Sequence, residues 1–166
     1  ICISSIDWDF VWQGHQELMS LFAKAGNCVF FIDNTGARMP RLKDIPRIKK
    51  RIFNWIKGVK GIRKDMDNLY VFSPILFPFP YSTVFKKINA AVLMSIIRAW
   101  MRVFNFNSPI IIVFLPTPLS LYMVNRIEYR DLLIYYCVDR FSSAPGVSKK
   151  IKKSEQRFFE QSDLIF

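Results

Sequence analysis

Short runs of aliphatic and β-branched residues recur along this chain, and several are apolar without interruption: Ile1 to Ile6, Cys28 to Ile32, Leu69 to Phe72, Ile110 to Leu115, Leu132 to Val138 and Leu164 to Phe166. An alternating run buries one face of a strand. A continuous run must bury both, which is the condition of a strand inside a parallel sheet. Stretches with helical spacing lie between most of the runs. Leu18, Phe22 and Ala25 fall at i, i+4 and i+7, with Gly26-Asn27 behind them as a stop signal. Ser82 or Thr83 caps a long helix reaching about Phe104, and Val147, Ile151 and Phe158 mark one face of a last helix. Strand and helix in alternation predict right-handed crossovers: an α/β, Rossmann-like parallel sheet with helices on both faces.

At 166 residues the chain has room for one domain with a substantial core. Half of it is hydrophobic, which excludes disorder. Both ends fall inside apolar runs, so residues 1–166 are expected to be one domain cut from a longer chain. Cys2, Cys28 and Cys137 show no CxxC spacing and sit in apolar runs, as buried thiols in a reducing compartment do. No signal peptide is visible. Arg98 and Arg102 interrupt the best candidate for a membrane-spanning helix, and Pro109, Pro116 and Pro118 punctuate the best strand-like stretch.

The net charge of +11 is concentrated in one segment. Arg38 to Lys64 holds eleven basic residues against Asp44 alone, while the remainder is nearly balanced. Within it, Asp44 and Pro46 open a helix whose Ile45, Ile48, Ile52, Ile56 and Val59 form an apolar stripe. Lys49, Lys50, Lys57 and Lys60 flank that stripe, with Trp55 nearby. This pattern suits a solvated surface helix, or a basic amphipathic helix lying on anionic lipid headgroups.

In open parallel sheets, ligands bind beyond the carboxyl ends of the strands. Those positions hold Asp7-Trp8-Asp9, Trp12, Gly14 and His15 after the first run, and Asp33-Asn34-Thr35-Gly36 after the second. Ser73 and Pro78-Phe79-Pro80-Tyr81 follow the third, Pro116-Thr117-Pro118 the fourth, and Asp139-Arg140 the fifth. Aromatic faces stack on sugar C–H surfaces, while carboxylates and amides bond hydroxyl groups, so this edge suits a hydroxyl-rich ligand. GxGxxG, GxxxxGK[ST] and GxSxG are absent. His15 is the single histidine, which disfavours a His/Cys metal cluster. Near a helix N-terminus it serves as a structural group or a base of lowered pKa.

Taken together, Ser4-Ser5-Ile6-Asp7-Trp8-Asp9, Trp12-Gln13-Gly14-His15-Gln16-Glu17, Asn34-Thr35-Gly36, Ser73-Pro74, Pro78-Phe79-Pro80-Tyr81, Leu115-Pro116-Thr117-Pro118 and Tyr135-Tyr136-Cys137-Val138-Asp139 resemble the N-terminal domain of bacterial group 1 (family 4-like) glycosyltransferases. The resemblance implies one half of a GT-B fold, with a nucleotide-sugar-binding domain beyond residue 166 and no turnover by this half alone. It implies donor contacts from Trp12, Gly14 and His15, and acceptor contacts from Asp7, Trp8, Asn34, Thr35, Tyr81 and Thr117. Asp139 occupies the position near the reacting sugar, although Val138 stands where relatives often carry histidine, and Arg140 departs from an expected second acid. The nucleotide-sugar enters as co-substrate, with neither metal nor cofactor, and the acceptor is a glycan or is lipid-linked. The setting implied is the cytoplasm, peripheral to the inner face of the cell membrane.

Two other classes fit parts of the sequence. Asp7-Trp8-Asp9-Phe10-Val11 matches the DxDx[TV] opening of haloacid-dehalogenase-like phosphatases, in which the first carboxylate accepts phosphoryl and the second is an acid/base. The Arg38 to Lys64 segment alone suits a non-enzymatic module binding membrane or nucleic acid. The glycosyltransferase reading expects no nucleic acid.

Overall fold

The parallel strands form where the sequence runs continuously apolar. The computed structural model describes residues 1–36, 49, 53, 61–143 and 148–166. The chain divides into two units, Ile1–Pro78 and Phe79–Phe166.

The first unit runs β1 (Cys2–Ile3), α1 (Gly14–Lys24), β2 (Val29–Ile32), β3 (Ile62–Met66) and β4 (Leu69–Phe72). Its strands lie in the order β3-β4-β2-β1. β1 and β4 both pair with β2 in parallel, Cys2 opposite Phe31 and Val29 opposite Leu69. Every residue of β1 and β2 is buried, as is all of β4 except Tyr70. Phe30 and Phe72 stack with ring centroids 5.8 Å apart. Each such buried side chain contributes roughly 1.5–3 kcal/mol.

β3 departs from the expected pattern. It pairs antiparallel with β4, Ile62 opposite Phe72, through a tight turn in which Asn68 takes φ 62°. Its Ile-Arg-Lys-Asp-Met sequence has no apolar face to bury, so nothing in its hydrophobicity announces a strand. An edge strand needs only one hydrogen-bonded neighbour and tolerates charge. Asn readily enters the left-handed region that the turn requires.

The apolar spacing also misplaces the inner face of α1. Leu18 is half-buried and Phe22 and Ala25 are exposed, whereas Met19 and Ala23 are buried together with His15, Gln16 and Ser20. The helix packs on β2 and β4. Its first turn is turned inward by His15 and Gln16, whose partners lie in the loop after β1, and that anchoring sets the phase.

The second unit runs α2 (Thr83–Val103), β5 (Ile110–Val113), α3 (Pro118–Val124), β6 (Leu132–Tyr135), a 3-10 turn (Phe141–Ser143), α4 (Lys149–Gln161) and β7 (Leu164–Ile165). β5, β6 and β7 are adjacent and parallel. Ser82 Oγ accepts from the Phe85 amide at the start of α2, as a serine cap does. α2 buries Leu93, Met94, Ile97 and Trp100. The apolar pattern does not announce α3, although Thr117 and Pro118 are a cap and a first-turn proline. On α4, Ile151 and Phe158 are buried on one face, as their spacing predicts, while Val147 lies outside the described residues.

The fold is therefore α/β and Rossmann-like, with β3 as its antiparallel edge. The three cysteines are free thiols, Cys2 buried and Cys28 and Cys137 partly exposed. Among the described residues no helix is long and apolar enough to cross a membrane. Of the residues read as a membrane-facing helix, Lys49 is helical and exposed, while Lys50, Trp55, Lys57 and Lys60 lie outside the described residues.

Candidate functional site

In the first unit, the carboxyl ends of β1, β2 and β4 form one edge, and the loops leaving it are tied to one another. Backbone pairing continues past the strands: Ser4 N–H donates to Ile32 O at 3.1 Å, and Asp33 N–H to Phe72 O at 2.9 Å. Asp33 is buried between the loops. Its Oδ1 accepts from the Trp8 amide at 2.7 Å, and its Oδ2 accepts from Ser73 Oγ at 2.5 Å. One carboxylate thus joins the loops after β1, β2 and β4. Two charge-assisted hydrogen bonds offset much of the cost of burying it.

Gln16 does for residues 8–13 what Asp33 does for the strand ends. Fully buried on α1, it accepts from the Gln13 amide at 3.0 Å through Oε1. Its Nε2 donates to Trp8 O at 3.3 Å and to Val11 O at 3.4 Å. Donor and acceptor of a single amide therefore fold the chain back onto the helix start, where Gln13 stands as the cap.

His15 is buried beside this loop, with Nε2 2.9 Å from Ser5 Oγ. Burial lowers its pKa to about 4, so the imidazole is neutral at pH 7. Gly14 opens α1, and a Cβ added there would meet no atom within 4 Å. Trp12 is exposed, but its position is set: Nε1–H donates to Glu17 Oε2 at 2.8 Å, and its ring meets Trp8 edge-on at 5.6 Å.

Several residues singled out from sequence turn out to build the edge. The Trp8 indole is buried against Phe31 at 4.9 Å, which leaves no ring face for a ligand. Asn34 uses both ends of its amide: Nδ2 donates to Ser5 O, and Oδ1 accepts from the Gly36 amide at 2.6 Å. Gly36 supports that turn with φ 85°, a conformation that favours glycine. Thr35 Oγ1, by contrast, is buried without a hydrogen-bond partner among the described residues. Asp7 is partly exposed, and its carbonyl accepts from the Phe10 amide at 3.0 Å in a turn. Asp9 forms an ion pair with Arg63 of β3 at 2.7 Å.

In the second unit, Thr117 is buried and caps α3, its Oγ1 accepting from the Ser120 amide at 3.1 Å. Tyr81 is partly exposed, and its carbonyl accepts from Lys150 Nζ at 2.7 Å. Asp139 is exposed beyond β6, next to Arg140, whose guanidinium lies 6.0 Å from the Phe159 ring centroid. Behind that loop, the buried Glu155 carboxylate accepts from Tyr135 Oη at 2.8 Å and from the Phe141 amide at 2.9 Å.

Sequence reasoning misses the anchoring roles of Asp33, Gln16, Arg63 and Glu155. A polar residue in or beside an apolar run is the available signal for Asp33, and a glutamine three residues after a cap position is the signal for Gln16. Arg63 and Glu155 carry none. Among the described residues no group of three or more His, Cys, Asp or Glu side chains comes together to hold a metal ion. No protein-family model matches this chain, and no curated protein matches it.

Proposed function

We propose that this chain is the acceptor-side half of a GT-B glycosyltransferase of envelope polysaccharide synthesis. It moves a sugar from a nucleotide-sugar donor to a glycan or lipid-linked acceptor, in the cytoplasm at the inner face of the cell membrane. The observation that carries the reading is the pinned loop after β1. Asp33 and Gln16 hold residues 8–13 so that Trp12 and the open backbone at Gly14 stand together at the start of α1.

That arrangement suits a diphosphate joined to a sugar. A helix N-terminus presents amide N–H groups and positive potential to phosphate oxygens. Gly14 removes the side chain that would hold a phosphate away. A neutral His15 can donate one hydrogen bond without adding charge. Trp12 supplies an apolar ring for the C–H face of a sugar or for a base. Asp7 is the proposed partner of acceptor hydroxyl groups, and Thr35 remains a proposed acceptor-side residue. Asn34 and Trp8 act behind them by holding the loops. Tyr81 and Thr117 remain proposed acceptor-side residues, Thr117 through the start of α3. Asp139 is the proposed catalytic residue, a carboxylate able to take a proton or hydrogen bond from a reacting hydroxyl. The Asp9–Arg63 ion pair weighs against the phosphatase reading, which needs that carboxylate for acid/base work.

The test is a titration of the chain with UDP and GDP, followed by backbone amide resonances. Saturable shifts confined to Trp12 through Gln16 are expected. Gly14→Val, whose side chain enters open space, should keep the fold and abolish those shifts. Absence of any shift at that helix start, or shifts unchanged in the variant, would overturn the assignment.

A further inference from the structure

Helix α1 is apolar on two sides. Met19 and Ala23 are buried where it packs on β2 and β4. Leu18, Leu21, Phe22 and Ala25 fall at i, i+3, i+4 and i+7 and form a second stripe, on the outer side. Leu21 is 52 % and Phe22 39 % exposed, with Leu18 half-buried beside them and Ala25 exposed at the helix end. A surface helix turns its apolar residues inward, and one that is apolar all round is covered all round. The spacing is that of a core face, yet His15 and Gln16 hold the first turn in another phase and leave the stripe to water. Single exposed apolar residues are ordinary, whereas four in register over two helical turns mark a contact surface.

The charges beside the stripe name its occupant. Glu17 lies in the first turn of α1 and Lys24 in the last. Seven residues apart, they fall on one flank of the stripe and about 10 Å from each other along the axis, too far to pair within one copy. Among the described residues Lys24 makes no ion pair, and the Trp12 indole uses one oxygen of Glu17, Oε2. A two-fold axis beside Leu21 sets a second α1 antiparallel to the first. It returns the flank to itself with its ends exchanged, so each Glu17 comes opposite the other copy's Lys24. Leu21 and Phe22 then meet across the axis, and Leu18 meets Ala25. A face with an apolar middle and opposite charges at its two ends is complementary to itself in this arrangement.

We infer that the outer face of α1 is a homodimer contact, in which two copies of the chain pair antiparallel through Leu18, Leu21, Phe22 and Ala25 with a Glu17–Lys24 ion pair at each end. One helix of three turns makes a contact at the small end of specific interfaces, so the association is weak and reversible. Each copy carries +11 overall, which opposes approach at low ionic strength. Salt screens that repulsion and leaves the apolar contact in place. The inference goes beyond the proposed function and does not rest on it, because neither nucleotide nor acceptor takes part.

The experiment is analytical ultracentrifugation of the chain in about 0.15 M salt, over a wide range of protein concentration. A monomer–dimer equilibrium is expected. Leu21→Ser changes an exposed position and leaves the core intact. It should weaken association on the order of tenfold, because its loss counts twice across the two-fold axis. The control is Val84→Ser with Val103→Ser, which removes exposed apolar groups from α2 and should associate as the parent does. Glu17→Lys and Lys24→Glu each set like charges against one another and should each weaken the dimer several-fold. An equimolar mixture of those two variants should associate more tightly than either alone, since only the mixed pair places opposite charges at both ends. A chain that stays monomeric at every concentration would overturn the inference, as would Leu21→Ser associating like the parent. A mixture no tighter than its separate variants would overturn the antiparallel pairing.

Discussion

The carboxylate of Asp33 accepts a 2.7 Å hydrogen bond from the backbone amide of Trp8, a residue on a different strand's loop. Through its second oxygen it also holds Ser73. Removing it strands a buried amide and a hydroxyl together. Asp33→Ala is therefore expected to cost about 3 kcal/mol in urea denaturation, the scale of breaking a buried charged hydrogen-bond pair. Asp33→Asn keeps a carbonyl for the Trp8 amide, and its NH2 can donate to Ser73 Oγ. It should cost no more than roughly half as much. Equal losses in the two variants would mean that the acceptor at Trp8 is not what matters.

The parallel strands are legible because burial on two faces leaves a continuous apolar run, and Val29 through Ile32 can be little else. β3 is not, because Arg63, Lys64 and Asp65 answer to one hydrogen-bonded neighbour and to water. The inner face of α1 is hidden for a related reason. Spacing of apolar residues locates a buried face only when burial is driven by apolar area, and here His15 and Gln16 are drawn in by Ser5, Trp8, Val11 and Gln13. For the candidate site, the order of motifs points to the carboxyl edge and to Trp12, Gly14 and His15. It does not separate residues that face outward from those that hold them there, because Trp8 differs from Trp12 only in its tertiary partners.

Gln16 carries the geometry of the exposed tip. Gln16→Leu matches its size while removing the amide, leaving the Gln13 N–H and the Trp8 and Val11 carbonyls short of partners. The expected cost is about 2 kcal/mol, given the penalty for unsatisfied polar groups. The more specific outcome is kinetic: amide hydrogen exchange should accelerate at Val11 through Gln13 and remain unchanged in β2. Uniform acceleration across the unit would assign Gln16 to global stability instead.

His15 should make stability fall on the acid side. Its folded pKa lies near 4 and the unfolded value near 6.5, with burial as the cause. Above 6.5 neither state binds the proton, so the stability is fully present. As pH falls from 6.5 towards 4, the unfolded chain takes up a proton that the folded chain refuses, and stability drops. Below 4 the contribution levels off. The loss is on the order of 3 kcal/mol across that window. Carboxylates titrate in the lower part of this range, so the comparison is with His15→Asn, measured by chemical denaturation at pH 7, 6 and 5. The variant should lack the extra slope, and parallel curves would remove His15 as its source.

The buried pair Tyr135–Glu155 gives the second unit an equivalent anchor. The Glu155 carboxylate takes a phenol O–H at 2.8 Å and the Phe141 amide at 2.9 Å, so it fastens β6 and the chain just beyond Asp139 and Arg140 to α4. Burial, followed by the bond to Glu155, pushes the Tyr135 phenol well above its ordinary pKa. Its absorbance at high pH should accordingly stay that of the protonated ring until the protein unfolds. Tyr135→Phe removes one donor and should cost about 1–2 kcal/mol, while Glu155→Ala also orphans the Phe141 amide and should cost about 3 kcal/mol or more. The double variant should lose less than the two single losses together, by about 1 kcal/mol, because the groups share one contact. Strict additivity would mean that phenol and carboxylate act independently.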